Sequence, residues 1–136
     1  LSIFSLTNGL SKTVEKIGEK ERITVGYQHD LSKVLEAIIY VESRGDVNAI
    51  SKNKQCVGIL QITPILVKDC NQFVKSNKYT LKDRYDKSKS FEMFYLIQKR
   101  YNKDGNIKQA IYRWRGGSPK ENHIYYTKVM NKMQRL

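Results

Sequence analysis

A glutamate on the apolar stripe of a helix constrains this chain more than any other feature. In the run LSKVLEAIIYVESRG, Leu31, Leu35 and Ile38 recur at helical spacing, with Val34 and Val41 beside them. Glu42 follows Ile38 by four residues and Leu35 by seven, which puts it on the same face. A carboxylate turned toward a core is costly unless it is protonated or partnered. Burial raises its pKa, which suits a general acid working near neutral pH. Helix geometry alone leaves a second place for Glu42, at the end of the last turn and in solvent. Gly45 supplies a left-handed cap after Ser43-Arg44, and Asp30 is the expected N-cap.

The rest of the chain reads as further helices. Residues 46–58 are polar and Asn- and Gly-punctuated, a loop or small hairpin. Thr63-Pro64 opens a second helix as N-cap and first helical residue, with Ile65, Leu66, Phe73 and Val74 as its apolar residues. Residues 75–87 read as a connection. Ser88 or Ser90 is the expected cap of a third helix carrying Phe91, Phe94, Tyr95 and Tyr101. After a turn at 103–106, Ile107, Ala110, Ile111 and Trp114 mark a fourth helix. Gly116-Gly117-Ser118-Pro119 breaks it, and a last helix holds Tyr125, Val129, Met130 and Met133. Residues 1–30 read as an uneven arm packed on or flanking the domain. A short helix is expected around Val14 and Ile17, and an extended piece over 23–27. The expected architecture is one mainly α domain over residues 31–136.

Charge and cysteines narrow the function. Lys and Arg number 25 against 13 Asp and Glu, a net charge of +12. That balance suits solubility, or a polyanionic partner such as nucleic acid or a cell wall with its peptide carboxylates and acidic polymers. No nucleic-acid motif accompanies it, and the basic residues are spread rather than interleaved with aromatics, so nucleic acid is not expected. No apolar run approaches the roughly 18 residues of a membrane span. The chain starts without Met and without a signal-peptide pattern, which reads as a mature or trimmed exported product. Cys56 and Cys70 are the only cysteines, and His29 and His123 lie far from them. That spacing gives no metal site and no cofactor. A disulfide between the two cysteines and two free thiols both fit.

From Glu42 onward the chain reads ESRGDVNAISKNKQCVGILQITP. Glu42-Ser43, Ala49-x-Ser51 and Gly58-Ile59-Leu60-Gln61-Ile62-Thr63-Pro64 stand in the order and at the distances of a known pattern. The segment resembles the catalytic core of the soluble lytic transglycosylases, lysozyme-like enzymes that cut the glycan strands of peptidoglycan. AIYRWRGG, residues 110–117, is similar to the family's Ala-x-x-(aromatic)-Asn-x-Gly block. YYTKV, residues 125–129, is similar to its C-terminal Tyr-x-x-x-Val helix. The resemblance runs over about residues 31–130. It implies a lysozyme-like fold of about five to seven helices, with a small loop or hairpin region after the catalytic-Glu helix.

Most glycosidases need a second carboxylate, ~5 to 10 Å from the first. Between Val47 and Lys68 there is no Asp or Glu; Asp46, Asp69, Asp83 and Asp86 are the outlying candidates. The resemblance implies a one-carboxylate route. Glu42 protonates the leaving oxygen between N-acetylmuramic acid and N-acetylglucosamine. It then takes a proton from the muramoyl C6 hydroxyl, which attacks the anomeric carbon and leaves a 1,6-anhydro end. An internal nucleophile gains from proximity.

The resemblance also implies substrate contacts at Ser43, Ser51, Gly58, Ile59, Gln61, Trp114, Arg115 and Tyr125. By spacing alone Trp114 is a core residue; Tyr125 fits the core or a hydrogen bond to Glu42. Gly58 would let backbone approach the sugar or the Glu42 helix. Arg115 stands where the family has Asn. Turned inward, it lowers the Glu42 pKa; turned outward, it holds a muropeptide carboxylate. Gly116-Gly117 favours the outward direction. The expected protein is a monomeric lytic transglycosylase, exported to the periplasm, envelope or medium, or carried as a phage virion protein or lysin. The alternatives are a hydrolytic muramidase of the same fold, and a non-catalytic wall-binding or virion structural module.

Overall fold

The computed structural model describes residues 31–136 of the chain. The expectations for the arm at 1–30, the Asp30 cap among them, lie outside the described residues. Among the described residues five α-helices follow one another: α1 (residues 31–43), α2 (Pro64–Val74), α3 (Lys87–Tyr101), α4 (Ile107–Arg115) and α5 (Pro119–Met133). A 3-10 turn, Leu81–Tyr85, lies between α2 and α3. Among the described residues there is no strand, only antiparallel bridges from Val57 to Ile50 and to Ile62. These make the small looped region that follows α1. No helix among the described residues is long and apolar enough to cross a membrane.

The stripe read from the sequence is the inner face of α1. Leu31, Val34, Leu35, Ala37 and Ile38 are all buried. They join one core with Leu60 and Ile62 from the loop, Met93 and Phe94 from α3, Ala110, Ile111 and Trp114 from α4, and Val129 from α5. Phe94 is its largest fully buried side chain, with the Trp114 ring 5.0 Å away, centroid to centroid. Burying each such side chain stabilises the fold by ~1.5 to 3 kcal/mol.

The helix ends follow local chemistry. Thr63 caps α2 by accepting from the Leu66 N–H, and Pro64 takes the first helical place. Ser118 and Glu121 form a capping box at α5, where Pro119 repeats the pattern. Gly116 ends α4 at φ 66. At the end of α1, Arg44 already adopts the left-handed conformation (φ 54), one residue before Gly45 (φ 86). The cap of α3 differs from the expected Ser88 or Ser90. Asp86 fills it, its Oδ1 accepting from the Lys89 N–H at 2.8 Å. Ser90 lies buried inside the helix and donates to the Arg84 carbonyl. The 75–87 connection thus contains an ordered turn ending on a capping carboxylate.

That turn is locked to the loop behind α1. The buried Arg84 guanidinium donates from Nη1 to the Gln55 and Ile62 carbonyls, at 3.0 and 3.1 Å, and from Nε to Leu81. From the other side Gly58, at φ 86, lies against the Arg84 carbonyl so closely that a Cβ there would collide with it. Gly58→Ala is expected to destabilise the protein by at least about 3 kcal/mol, since backbone strain and a backbone clash add. Chemical denaturation measures this; an unchanged midpoint would show that the loop yields.

Candidate active site

Glu42 occupies the last turn of α1, where the apolar stripe reaches the wall of a cleft of about 920 Å³. The cleft runs between the loop after α1, α2, the end of α4 and the face of α5. Tyr125 projects from α5, 83 residues on in sequence, and its hydroxyl donates to Glu42 Oε2 at 2.7 Å. Burial pushes the Glu42 carboxyl above its ordinary value of 4.5; the Tyr125 hydrogen bond and then the Arg115 charge pull it partway back. Tyr125 is itself raised, by burial and then by the facing Glu42, so it remains a donor at all ordinary pH. With Oε2 held as acceptor, Oε1 is the oxygen left to carry a transferable proton. The arrangement gives a raised carboxyl a fixed orientation, which is what a general acid requires.

The loop supplies an acceptor beside it. Gln61 adopts φ 52, and its Nε2 donates to the Gly58 carbonyl at 2.9 Å and the Ala49 carbonyl at 3.2 Å. Two carbonyl partners identify the nitrogen and leave Oε1 as the polar atom Gln61 can offer a ligand. The Ser51 hydroxyl donates to Asn53 Oδ1 and accepts from the Cys56 N–H, so toward a ligand it has only acceptor capacity left. Trp114 closes the cleft floor and belongs to the core as well, at 9% exposure.

Glu42, Ser51, Gln61, Trp114, Arg115 and Tyr125 thus come together along one cleft. Ser43, Gly58 and Ile59 do not line it; they build the wall behind. The Ser43 hydroxyl donates to the Ile59 carbonyl at 2.7 Å, tying the end of α1 to the 58–61 turn. The Ile59 side chain is buried in the core. The close approach that a Cβ at Gly58 would meet is to the Arg84 backbone.

Arg115 lies between two carboxylates, Glu42 and Glu121. Its Nη2 pairs with Glu121 Oε1 at 3.4 Å, at the start of α5, yet its charge still lowers the Glu42 carboxyl. A side chain at Gly117 would press on this pair, so the second glycine makes room for it.

The outlying carboxylates divide. Asp46, Asp83 and Asp86 accept from backbone N–H groups of their own turns. Asp69, half-buried on α2, lines the cleft. It is not among the groups that shift Glu42, whereas its neighbour Cys70 feels its charge. Lys128, three residues after Tyr125 and so on the same face of α5, lines the cleft too; its spacing was the available signal. Both cysteines are free thiols, Cys70 buried and pushed up to about 12, and Cys56 half-buried at the cleft. Among the described residues no group of three or more His, Cys, Asp or Glu is placed to hold a metal ion. A second hollow, of about 800 Å³ beside α2, has no carboxylate among the described residues that line it.

Residues 17–124 match the family model described as the transglycosylase SLT domain. No curated protein and no solved structure matches the chain.

A carboxyl raised by folding costs stability wherever the unfolded chain would ionise and the folded one would not. The unfolded state then binds fewer protons, and stability falls as pH rises above 4.5 through the folded value. Glu42→Gln removes that cost. Thermal melts are expected to coincide for the two proteins near pH 4, and the variant is expected to melt higher at about pH 8. Parallel pH–stability curves would contradict the raised carboxyl.

Proposed function

The chain belongs to the transglycosylase SLT family, with its lysozyme-like fold, and we propose that it is a peptidoglycan lytic transglycosylase using Glu42 as its single catalytic carboxylate. The bond cut is the β-1,4 link between N-acetylmuramic acid and N-acetylglucosamine, and the product carries a 1,6-anhydro end. The observation that carries this reading is a half-buried, raised Glu42 held by Tyr125, with no second carboxylate among the described residues acting on it.

The steps follow from the residues present. Oε1 of protonated Glu42 donates to the glycosidic oxygen as the bond to the anomeric carbon breaks. The carboxylate so formed keeps the Tyr125 hydrogen bond and the nearby Arg115 charge, both of which favour the ionised form. It then accepts the proton of the C6 hydroxyl as that oxygen closes on the anomeric carbon, which returns Glu42 to its starting state. Gln61 Oε1 is an acceptor suited to an acetamido N–H, and the Trp114 ring offers a face for a sugar. Residues 31–136 would form the catalytic unit with 1–30 as its arm. A peptidoglycan substrate places the enzyme outside the cytoplasmic membrane or on a phage.

Asp69 in the cleft lining favours one second reading, a hydrolytic muramidase with Asp69 guiding water. Purified peptidoglycan digested and weighed by mass spectrometry separates the two. Anhydro fragments, lighter by one water than reducing ends, are expected. Glu42→Gln is expected to lower fragment release by about 10³-fold or more, since it cannot pass a proton. Asp69→Asn is expected to retain most activity. Reducing ends together with loss of activity in Asp69→Asn would establish the hydrolase instead.

A further inference from the structure

Beside the cleft, the end of α1 and the face of α5 enclose a second groove of about 420 Å³. Its rim is cationic: Arg44 after α1, and Lys128, Lys132 and Arg135 on and just beyond α5. Among the described residues no carboxylate lines it, and the ion pairs lie elsewhere, at Glu92 and Glu121. Two of the cations are held by an aromatic ring instead. The Arg44 guanidinium lies 4.8 Å and the Lys132 ammonium 3.9 Å from the Tyr40 ring centroid. A ring face positions a cation without cancelling its charge, as an acid would. The groove also adjoins the cleft, since Val41 and Lys128 line both.

We propose that this groove holds the free carboxylates of the stem peptide carried by the muramoyl sugar in the cleft. The inference rests on the proposed function. The chemistry of the substrate selects this anion. The peptide hangs from the lactyl group of the same sugar whose bond Glu42 opens, so sugar and peptide can occupy adjoining grooves together. A phosphodiester polymer attached to that sugar through C6 would block the hydroxyl that has to close the anhydro ring. The groove therefore selects peptide-bearing sugars, and Lys128 marks where sugar ends and peptide begins.

Combining Lys132→Glu with Arg135→Glu reverses half of the rim and leaves Glu42, Tyr125 and Lys128 in place. On peptide-bearing strands KM is expected to rise about tenfold, ~1.4 kcal/mol of binding, with kcat unchanged. Strands stripped of peptide are expected to show no change. Amidating the peptide carboxylates should bring wild-type KM up to that of the variant. An equal KM rise on stripped strands, or no rise on either, overturns the proposal. So does a rise confined to peptide-free strands that carry wall phosphate polymer.

Binding of a soluble muropeptide to the wild-type protein, followed by backbone NMR shifts around Lys132 and Arg135, requires no turnover. Shifts there support the groove even if no glycan is cleaved, which would overturn only the reaction. Cleavage without such shifts overturns the groove and leaves the reaction standing.

Discussion

The hydrogen bond from Tyr125 to Glu42 is the contact on which the site depends. It joins the last turn of α1 to the face of α5 across 83 residues of chain, and it ends on a carboxylate set into an apolar wall. Burial alone would leave an acid that holds its proton but has no fixed direction. The tyrosine supplies direction, and it favours the ionised form that must follow proton transfer. The two effects oppose each other, which suits the proposed reaction: an acid that later acts as a base needs neither state stabilised beyond recovery.

Holding that carboxylate requires a rigid wall, and the loop after α1 provides it with strained backbone. Arg44, Gly45, Lys54, Gly58 and Gln61 all take positive φ within 18 residues. Such conformations cost ~1 kcal/mol or more at non-glycine positions and persist only when their surroundings fix them. Here the fixing groups are identifiable. Ser43 bonds the Ile59 carbonyl, Gln61 bonds the carbonyls of Ala49 and Gly58, and Arg84 bonds those of Gln55 and Ile62. The 3-10 turn, remote from the chemistry, thus holds the loop whose end presents Gln61.

Much of this was legible because it is local. The α1 stripe, Thr63-Pro64 and the glycine-proline break before α5 are short-range patterns, and each appears where its chemistry places it. The cap of α3 was missed because Asp86 and Ser90 both satisfy local rules, and only the Arg84 carbonyl opposite Ser90 decides between them. Ser43, Gly58 and Ile59 stand behind the cleft lining rather than in it for a related reason. A pattern records that a residue is needed, not whether it faces the cleft or supports its wall. Asp69 and Lys128 line the cleft because of how α2 and α5 pack, which local spacing suggests but does not fix.

The central claim is that Glu42 is an acid kept above its ordinary value by burial and steadied by Tyr125. Direct titration tests it: the side-chain carboxyl carbons are labelled, and the Glu42 resonance, assigned by its loss in Glu42→Gln, is followed against pH by ¹³C NMR in the wild type and in Tyr125→Phe. The wild-type resonance is expected to titrate above 4.5, and that of Tyr125→Phe higher still, because the lost hydrogen bond favours the ionised form. A wild-type Glu42 that titrates at or below 4.5, or a lower value in Tyr125→Phe, would contradict the account.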